Sequence, residues 1–398
     1  MIFTLEALQA GTGDSLILHY GDAKKPHFIV IDGGPAGIYK GSLKPRLQQL
    51  HDKFVDEDDD GAKLDLEMVM VSHIDDDHIH GVVDWMNDIA KEKAVPCNIA
   101  TLWYNSFEDM TGSAAEEIRS KVASASVDPD AKPNENTITP LTSQVLLASV
   151  GQGRTLRAHA KARGIKLNGG VKGVGGGDGL VMALPKKPAV ITRPGGLTLT
   201  VVGPSSQHLT DLLEEWKEDV AKNPDPVVVA DFADKSVPNL SSIVVVAEFK
   251  GKKMLLTGDA RGDFIREGLK IAGFLDKKGK AHFDLIKMPH HGSSRDMDLE
   301  WLQDLTADHY VISANGQFDN PDAETVEWMC QARGDDSYTI HMTNEKMVNA
   351  KKKNKADQDI SGKIKKVFAK NPGKKRVVEF RKEKNLSVKA ELLDPITY

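Results

Sequence analysis

The chain has 398 residues, of which 40% are hydrophobic and 28% charged, and its formal net charge is -6. This globular balance excludes a uniformly basic nucleic-acid coat, and the length suits one large domain or two ordinary ones. The 2 cysteines, Cys97 and Cys330, form no C-x-x-C pattern, which is typical of a reducing compartment. No run approaches the roughly 18 apolar residues of a membrane span, and the start lacks a signal-peptide pattern. We therefore expect a cytoplasmic protein with no membrane partner.

Short apolar runs bounded by turn residues predict strands along most of the chain, and apolar residues at helical spacing predict helices between them. The predicted strands are residues 15–20, 28–31, 66–71, 197–202, 243–249, 253–256, 285–286, 310–313, 376–381 and 386–392. The predicted helices are residues 43–54, 82–93, 207–222 and 322–332. This alternation predicts an α/β protein built from layered sheets with outer helices.

The pattern weakens between residues 105 and 195, which we interpret as an insertion over a core fold. The range contains two predicted helices, 114–125 and 141–162, followed by a glycine-rich loop at 169–179. That loop lacks the G-x-x-x-x-G-K-[ST] pattern of a phosphate-binding loop, so a linker is the better interpretation.

Positive charge concentrates near the end of the chain, where the stretch from Lys346 to Lys389 is rich in lysine and arginine. We expect residues 1–345 to form the main domain, and residues 346–398 to form a lysine-rich segment with C-terminal strands that pack on the same domain. The segment has two interpretations, a nucleic-acid backbone contact or a solvated flexible loop. Phe368 and Phe380 are its candidates for stacking on bases.

The predicted strand 66–71 runs directly into a dense group of metal-binding residue types: His73, Asp75, Asp77 and His78. Imidazoles and carboxylates at this density repel one another or stay unpaired unless a cation lies between them. A divalent metal satisfies that requirement, and a loop after a strand can direct several ligands at one point. A charged surface turn is the alternative, and the preceding buried strand argues against it.

Two later strands end in the same residue types. Strand 253–256 is followed by Asp259, and strand 285–286 is followed by His290 and His291. Each motif alone is ambiguous, because Gly-Asp commonly makes a turn and a histidine pair has many uses. Three strand ends that each deliver histidine or aspartate favour one shared metal site.

The order of these motifs resembles the metallo-β-lactamase superfamily. It is most similar to the branch that contains the hydrolase domain of competence DNA-uptake channels and the phosphorylcholine esterases. The resemblance rests on His73-x-Asp75-x-Asp77-His78, Thr257-Gly258-Asp259 and Pro289-His290-His291-Gly292-Ser293, and it covers about residues 1–105 and 195–345. The opening strands, Asn239 and the block around Asn320 also look like that branch.

The resemblance implies a four-layer αββα metallo-β-lactamase sandwich, here with a helical and glycine-rich insertion and a C-terminal β-rich extension. It implies one or two metal ions, with His73 serving the first and Asp77 and His78 the second. Asp259 would bridge both, and either histidine of the later pair would complete the second site. The implied metal ligands are His73, Asp75, Asp77, His78, Asp259, His290 and His291.

This chain departs from the family pattern at three positions. Asp75 stands where many members have histidine, Asn239 replaces an expected first-site histidine, and Asn320 stands at a late histidine position. These changes make the first site richer in oxygen. Mn²⁺ therefore becomes an alternative to Zn²⁺.

The resemblance implies an enzyme in which metal-activated water attacks the substrate and Asp77 orients that water or accepts its proton. We expect a phosphodiesterase whose substrate is a phosphodiester, with nuclease activity on nucleic acid as the first candidate. Lys287 is a candidate contact for a substrate phosphate, with a solvated lysine as the alternative.

Two other functions stay open. One is a small-molecule hydrolase of a phosphoester, lactone or thioester, with residues 105–195 as a lid. The other is a catalytically silent metal-binding regulatory module, which the asparagine replacements motivate. The position of the lysine-rich segment relative to the metal site discriminates the first of these from a nuclease.

Overall fold

The computed structural model describes residues 1–56, 61–106, 140–171, 179–184, 188–205, 207 and 241–398. The predicted helix 114–125, nearly all of the predicted helix 207–222, residues 172–178 of the glycine-rich loop and Asn239 lie outside the described residues.

The described residues form a mixed α/β protein, as the sequence predicts. Its strands are β1 (Ile2–Leu8), β2 (Leu16–Asp22), β3 (Lys25–Ile31), β4 (Leu64–Leu66), β5 (Met68–Met70), β6 (Cys97–Ile99), β7 (Thr101–Trp103), β8 (Lys166–Leu167), β9 (Ala189–Thr192), β10 (Thr198–Gly203), β11 (Val244–Phe249), β12 (Lys252–Leu256), β13 (Ala281–Lys287), β14 (Leu305–Ile312), β15 (Tyr338–Met342), β16 (Arg376–Phe380) and β17 (Ser387–Glu391). Its helices are α1 (Lys44–Phe54), α2 (Asp76–Ala90), α3 (Pro140–Ala162), α4 (Gly262–Ile271), α5 (Leu299–Asp304), α6 (Ala323–Arg333), α7 (Lys355–Gln358) and α8 (Ile360–Lys370).

Two large sheets organise these strands. One has the order β17-β1-β2-β3-β5-β7-β8 and the other has the order β16-β15-β14-β13-β12-β11-β10-β9. Strands β3, β5, β7 and β8 are parallel in the first sheet, and β12 to β16 are parallel in the second. The strands β4 and β6 form a separate parallel pair.

The two C-terminal strands predicted at 376–381 and 386–392 are confirmed, and each extends a different sheet. β16 pairs with β15, whereas β17 pairs with β1. The range 105–195 also contributes an edge strand to each sheet, β8 to the first and β9 to the second. Its predicted helix 141–162 is confirmed as α3.

Three buried apolar clusters hold the elements together. The first packs one face of the seven-stranded sheet, including Val30, against α1, α2 and α3. The second packs one face of the eight-stranded sheet, including Leu255, against α4, α5, α6 and α8. The third lies where the other faces of both sheets meet, and it joins Leu18 to Met254. Apolar burial on both faces explains why the strands consist of nearly continuous apolar runs.

A buried ionic cluster joins β1 and β2 of the first sheet to α1. Glu6 lies 2.8 Å from His19 Nε2 and 2.9 Å from Arg46 Nε. Burial alone would raise the pKa of Glu6, but the hydrogen bond from His19 and the charges of His19 and Arg46 outweigh it and lower the pKa to about 2. The carboxylate therefore stays ionised and paired inside the protein.

The lysine-rich segment is not the flexible loop that its composition suggested. It folds into α7 and α8, and α8 buries Ile360, Ile364 and Val367 against the eight-stranded sheet. Since these apolar residues recur at helical spacing, the lysines between them remain on the solvent side. Among the described residues, no helix combines the length and the apolarity that crossing a bilayer requires.

Two glycines let α2 approach the end of β3. The backbone N–H of Gly33 donates to His78 O at 2.8 Å, and that of Gly81 donates to Gly34 O at 2.9 Å. A Cβ on Gly81 would lie 2.0 Å from the carbonyl oxygen of Gly33. Only a residue without a side chain permits this contact, which fixes the first turns of α2 against the sheet.

We expect Gly81→Ala to lower the free energy of unfolding by about 1–3 kcal/mol, because the added methyl group overpacks this contact. Gly151→Ala is the matched control, since Gly151 is exposed in α3 with open space around it. That change should be neutral or stabilise by about 0.5–1 kcal/mol. Urea unfolding of both variants measures the difference. A Gly81→Ala variant as stable as the unmodified protein would contradict the close contact.

Candidate metal centre

The end of β5 delivers the first group of site residues. Ser72 follows this strand, and its backbone N–H and hydroxyl both donate to the Asp32 carboxylate at 2.7 Å. These bonds fix the chain just before His73. Asp75 then precedes α2, and its carboxylate does not cap the helix. The strand end and the first turn of α2 therefore present His73, Asp75, Asp77 and His78 together.

The end of β12 delivers Asp259 through a glycine turn. Gly258 has a φ of +52°, and a Cβ there would lie 3.0 Å from Ser72 Cβ. The Thr257 hydroxyl donates to Lys287 O at 2.7 Å, which ties the ends of β12 and β13 together. Asp259 is buried, with 3% of its surface exposed.

The end of β13 delivers the histidine pair in a strained turn. His290 has a φ of +44° and His291 a φ of +55°, a left-handed conformation that costs a residue with a side chain free energy. Two contacts hold the turn: His290 Nδ1 lies 2.6 Å from Asp296, and His291 Nδ1 lies 3.0 Å from Ser313 O. Strain of this kind persists only where surrounding contacts fix it, and it concentrates at functional sites.

All four imidazoles direct Nε2 at Asp259. Their Nε2 atoms lie 3.3 Å (His78), 3.3 Å (His291), 3.8 Å (His290) and 3.9 Å (His73) from its carboxylate oxygens. Each Nδ1 meets another partner, which for His78 is Asp32 at 2.8 Å and for His73 is Ser72 Oγ at 3.1 Å. A partner at Nδ1 orients the ring and leaves Nε2 available as a ligand, as in metal-binding histidines generally.

The spacing of these atoms fits a divalent ion. Two ligands about 2.0–2.1 Å from one tetrahedral metal lie about 3.3–3.4 Å apart. The Nε2 atoms of His78 and His291 are 3.3 Å apart, and each lies 3.3 Å from an Asp259 oxygen. His73 Nε2 and Asp259 Oδ1 are buried without a hydrogen-bond partner. A cation would satisfy both, so the buried cluster could hold a metal ion.

Sequence reasoning gave Asp14 no place in the ligand group, but the structure puts it there. Donor atoms of Asp14, His78, Asp259 and His291 all lie within 4.8 Å of one another, and those of His73, Asp77 and His78 form a second such group. Asp14 Oδ1 is buried without a hydrogen bond and lies 3.4 Å from His291 Nδ1. The sequence signal is the motif Gly11-Thr12-Gly13-Asp14-Ser15 between the first two strands, which predicts a residue that braces the site loop and does not touch the metal.

Lys287 is neither solvated nor open to a substrate. Its side chain is 1% exposed, and its Nζ lies 2.5 Å from Asp14 Oδ2. Burial of an unpaired ammonium group would be costly, so the two charges are buried as a pair. Lys287 thereby braces the ligand group from behind.

The remaining predicted residues lie at the rim of the site. Asp75 Oδ2 is 3.5 Å from His73 Nε2, and Asp77 Oδ2 is 3.5 Å from His291 Nε2. Both carboxylates are partly exposed, at 35% and 30%. Asn320 Nδ2 donates to His290 O at 3.4 Å, so this asparagine braces the histidine turn.

Charge balance inside the cluster shifts the pKa values of its members in opposite directions. Burial alone would lower the pKa of His78 and His291, but Asp259 and the other nearby carboxylates raise both well above the usual range. Against the effect of burial, His291 and His78 hold the pKa of Asp259 well below its usual range. In the absence of a metal ion, protons on the histidines therefore supply the positive charge.

No protein-family model matches the chain, and no curated protein matches it. Among solved structures, the chain is similar to a protein of unknown function from Enterococcus faecalis V583, with 10% sequence identity and a TM-score of 0.30. That match covers 96% of this chain and 78% of the other. A likeness at this level carries no argument about function.

The two histidines of the turn should differ in their effect on metal content. His291 is 3% exposed within the cluster, whereas His290 is 29% exposed at its edge. We expect His291→Ala to lose the bound ion and His290→Ala to retain it. The exposed His282 provides a control, because its ring contacts Thr306 and Asp308 away from the cluster. Elemental analysis of the purified variants measures this, and equal losses from both changes in the turn would contradict the assignment.

Metal affinity should rise with pH. Since the pKa values of His78 and His291 are raised, both rings carry protons near neutral pH when no ion is bound. A metal ion binds only the neutral nitrogen, so it displaces those protons, and affinity changes about tenfold per pH unit for each proton displaced. Titration calorimetry in buffers of different ionisation enthalpy counts the released protons. An affinity that stays constant between pH 6 and pH 8 would rule this out.

Proposed function

We propose that the chain is a metal-dependent hydrolase of the metallo-β-lactamase fold and that it hydrolyses phosphodiesters. The observation that carries the proposal is the meeting of three strand ends, from two sheets, at one buried group of His73, His78, Asp259 and His291. The three apolar clusters support the four-layer αββα arrangement, since helices pack on one face of each sheet and the opposite faces meet.

A bound divalent cation supplies Lewis-acid chemistry and lowers the pKa of water to near neutrality. Nitrogen and oxygen donors at this spacing suit Zn²⁺, with Mn²⁺ as the alternative because Asp75, Asp77 and Asp259 add oxygen. The two overlapping donor groups would accommodate one or two ions, with His78 common to both.

Asp77 is the residue that acts on the attacking water. Burial alone would raise its pKa, but His78 and His291 lower it, so the carboxylate is ionised and can orient the water through a hydrogen bond before it takes the proton. Its side chain is 30% exposed, between the buried ligands and solvent. In the proposed reaction the water oxygen bonds to phosphorus, Asp77 takes the proton, the ester bond breaks, and the leaving oxygen takes a proton from solvent.

The position of the lysine-rich segment favours a nucleic-acid substrate. Lys352 Nζ lies 2.8 Å from Asp319, and Asn349 Nδ2 donates to the same carboxylate at 3.0 Å. Asp319 immediately precedes Asn320, which bonds to the His290 carbonyl. The start of the segment therefore lies beside the metal centre, where positive charge would attract phosphates.

A small-molecule hydrolase is the second candidate, and the position of α3 favours it. Gln152 Nε2 donates to Asp76 Oδ1 at 2.8 Å, at the first residue of α2. The predicted insertion therefore borders the metal centre, as a lid over a small pocket would. Hydrolysis of a lactone or thioester faster than of any phosphodiester would favour this candidate.

We expect Asp77→Asn to reduce turnover of bis-p-nitrophenyl phosphate by roughly 10²–10⁴-fold, the usual effect of losing a general base. Asp76→Asn is the matched control, because the Asp76 carboxylate bonds to His80 and Gln152 instead of the cluster. It should keep nearly full activity. Assays with added Zn²⁺ and Mn²⁺, together with metal content, give the measurement.

Metal content and turnover together distinguish the candidate functions. Bound metal with no turnover of phosphodiester, phosphoester, lactone or thioester would favour the catalytically silent regulatory module. The absence of both bound metal and turnover with any added ion would contradict the hydrolase proposal. Equal losses in the two aspartate variants would remove Asp77 from its catalytic role.

A further inference from the structure

Phe318 is the most exposed large hydrophobic side chain among the described residues, with 59% of its surface in solvent. Its backbone is left-handed, with a φ of +60°, and Asp319 follows with a φ of +72°. This conformation costs a residue with a side chain free energy. Neither the exposure nor the strain stabilises the fold, so both point to a role in binding.

Contacts with the lysine-rich segment hold the loop that carries Phe318 in place. Asp319 bonds to Lys352 and Asn349, and a Cβ on Gly316 would lie 2.3 Å from the backbone nitrogen of Val348. These contacts fix the loop, so the ring is presented in a defined position.

Phe318 belongs to a loop that packs on the histidine turn. Asn320 donates to His290 O, and a Cβ on Gly292 would lie 2.8 Å from Pro321 Cβ, so this loop packs directly on the histidine turn. One residue, Asp319, separates Phe318 from Asn320, which places their Cα atoms no more than about 7.6 Å apart. The ring of His290 is more exposed than the ring of His291 in the same turn.

A cation accompanies the ring. Lys351 Nζ lies 4.6 Å from the centroid of Phe318. Lys351 makes no ion pair with any residue that the structure describes, in contrast to Lys352, which is paired with Asp319. The edge of the metal centre therefore carries an aromatic face and an uncompensated positive charge side by side.

We propose that Phe318 and Lys351 form a nucleotide subsite, in which a base of a single-stranded nucleic acid stacks on Phe318 and Lys351 holds an adjacent phosphate. Stacking on aromatic rings combined with backbone charge contacts is the general mode of single-strand binding. The aromatics suggested by the sequence are less exposed than Phe318, since Phe368 and Phe380 are partly buried against the core. The subsite implies that single-stranded nucleic acid is the substrate class of the proposed phosphodiesterase. Cleavage of that substrate rests on the proposed function, whereas binding at the subsite does not.

The test compares two labelled strands of equal length with phosphorothioate links, one of thymidine and one of abasic sugars. Fluorescence anisotropy with the metal-loaded protein should show tighter binding of the thymidine strand. Phe318→Ala should weaken thymidine binding roughly fivefold or more, while abasic binding stays unchanged and Phe318→Trp restores the difference. Val190→Ala is the control, since Val190 is 56% exposed on β9.

Lys351→Ala should weaken binding of both strands and reduce the slope of log affinity against log salt by about one. Lys277→Ala, an exposed lysine between α4 and β13 and outside the lysine-rich segment, should leave binding near that of the unmodified protein. If Phe318→Ala left the ratio of thymidine to abasic affinity unchanged, the subsite would be wrong. Loss of affinity in Lys277→Ala as large as in Lys351→Ala would also overturn it.

Hydrolysis of bis-p-nitrophenyl phosphate separates this proposal from the proposed function. Continued hydrolysis with no base-dependent binding would overturn the subsite and leave the phosphodiesterase standing. Base-dependent binding that Phe318→Ala abolishes, with no hydrolysis under any ion, would support the subsite and overturn the enzyme.

Discussion

Asp259 brings its two oxygens within 3.3 to 3.9 Å of four imidazole nitrogens, and this crowding governs the rest of the centre. Buried imidazoles and carboxylates at these distances must balance their charge, either with protons or with a cation. The fixed Nδ1 partners prevent the rings from turning away to relieve the crowding. The fixed cluster could therefore hold a cation. In the absence of a cation, protons on the histidines balance the charge of the carboxylates.

The centre forms only because two sheets meet there, and several bonds across the junction keep them in place. The Ser313 hydroxyl donates to Gly13 O at 2.7 Å, and Ile243 N donates to Ser72 O at 2.8 Å. The buried pair of Lys287 and Asp14 adds a third link. Each bond joins a residue in or next to a strand of one sheet to a loop of the other. The bonds that stabilise the junction therefore also fix the positions of the ligand residues. This explains why many polar groups are buried at the junction.

The sequence predicted most of the described elements, and it nominated residues that the structure brings together in one buried cluster, because both depend on local pattern. Apolar runs located most of the strands of both sheets, and three strand ends nominated His78, Asp259 and the histidine turn. Asp14 and the burial of Lys287 could not be found this way, since they depend on how distant segments pack. Composition also misread the lysine-rich segment, because the helical spacing of Ile360, Ile364 and Val367 outweighs its many charges. The sequence did not predict a role for Phe318, because an exposed side chain and a left-handed backbone have no clear sequence signal.

The surroundings of the centre pose an electrostatic problem for any anionic substrate. When the histidines are neutral, Asp32, Asp77 and Asp259 concentrate negative charge around the ligand nitrogens, and a phosphodiester approaching them would be repelled. Under the proposed function, a bound cation would offset part of this charge, and Lys351 would add positive charge near the histidine turn. The buried face of α8 anchors the lysine-rich segment to the fold, and Lys352 ties the start of the segment to Asp319, next to the asparagine that bonds to the histidine turn. A polyanionic substrate would meet positive charge there.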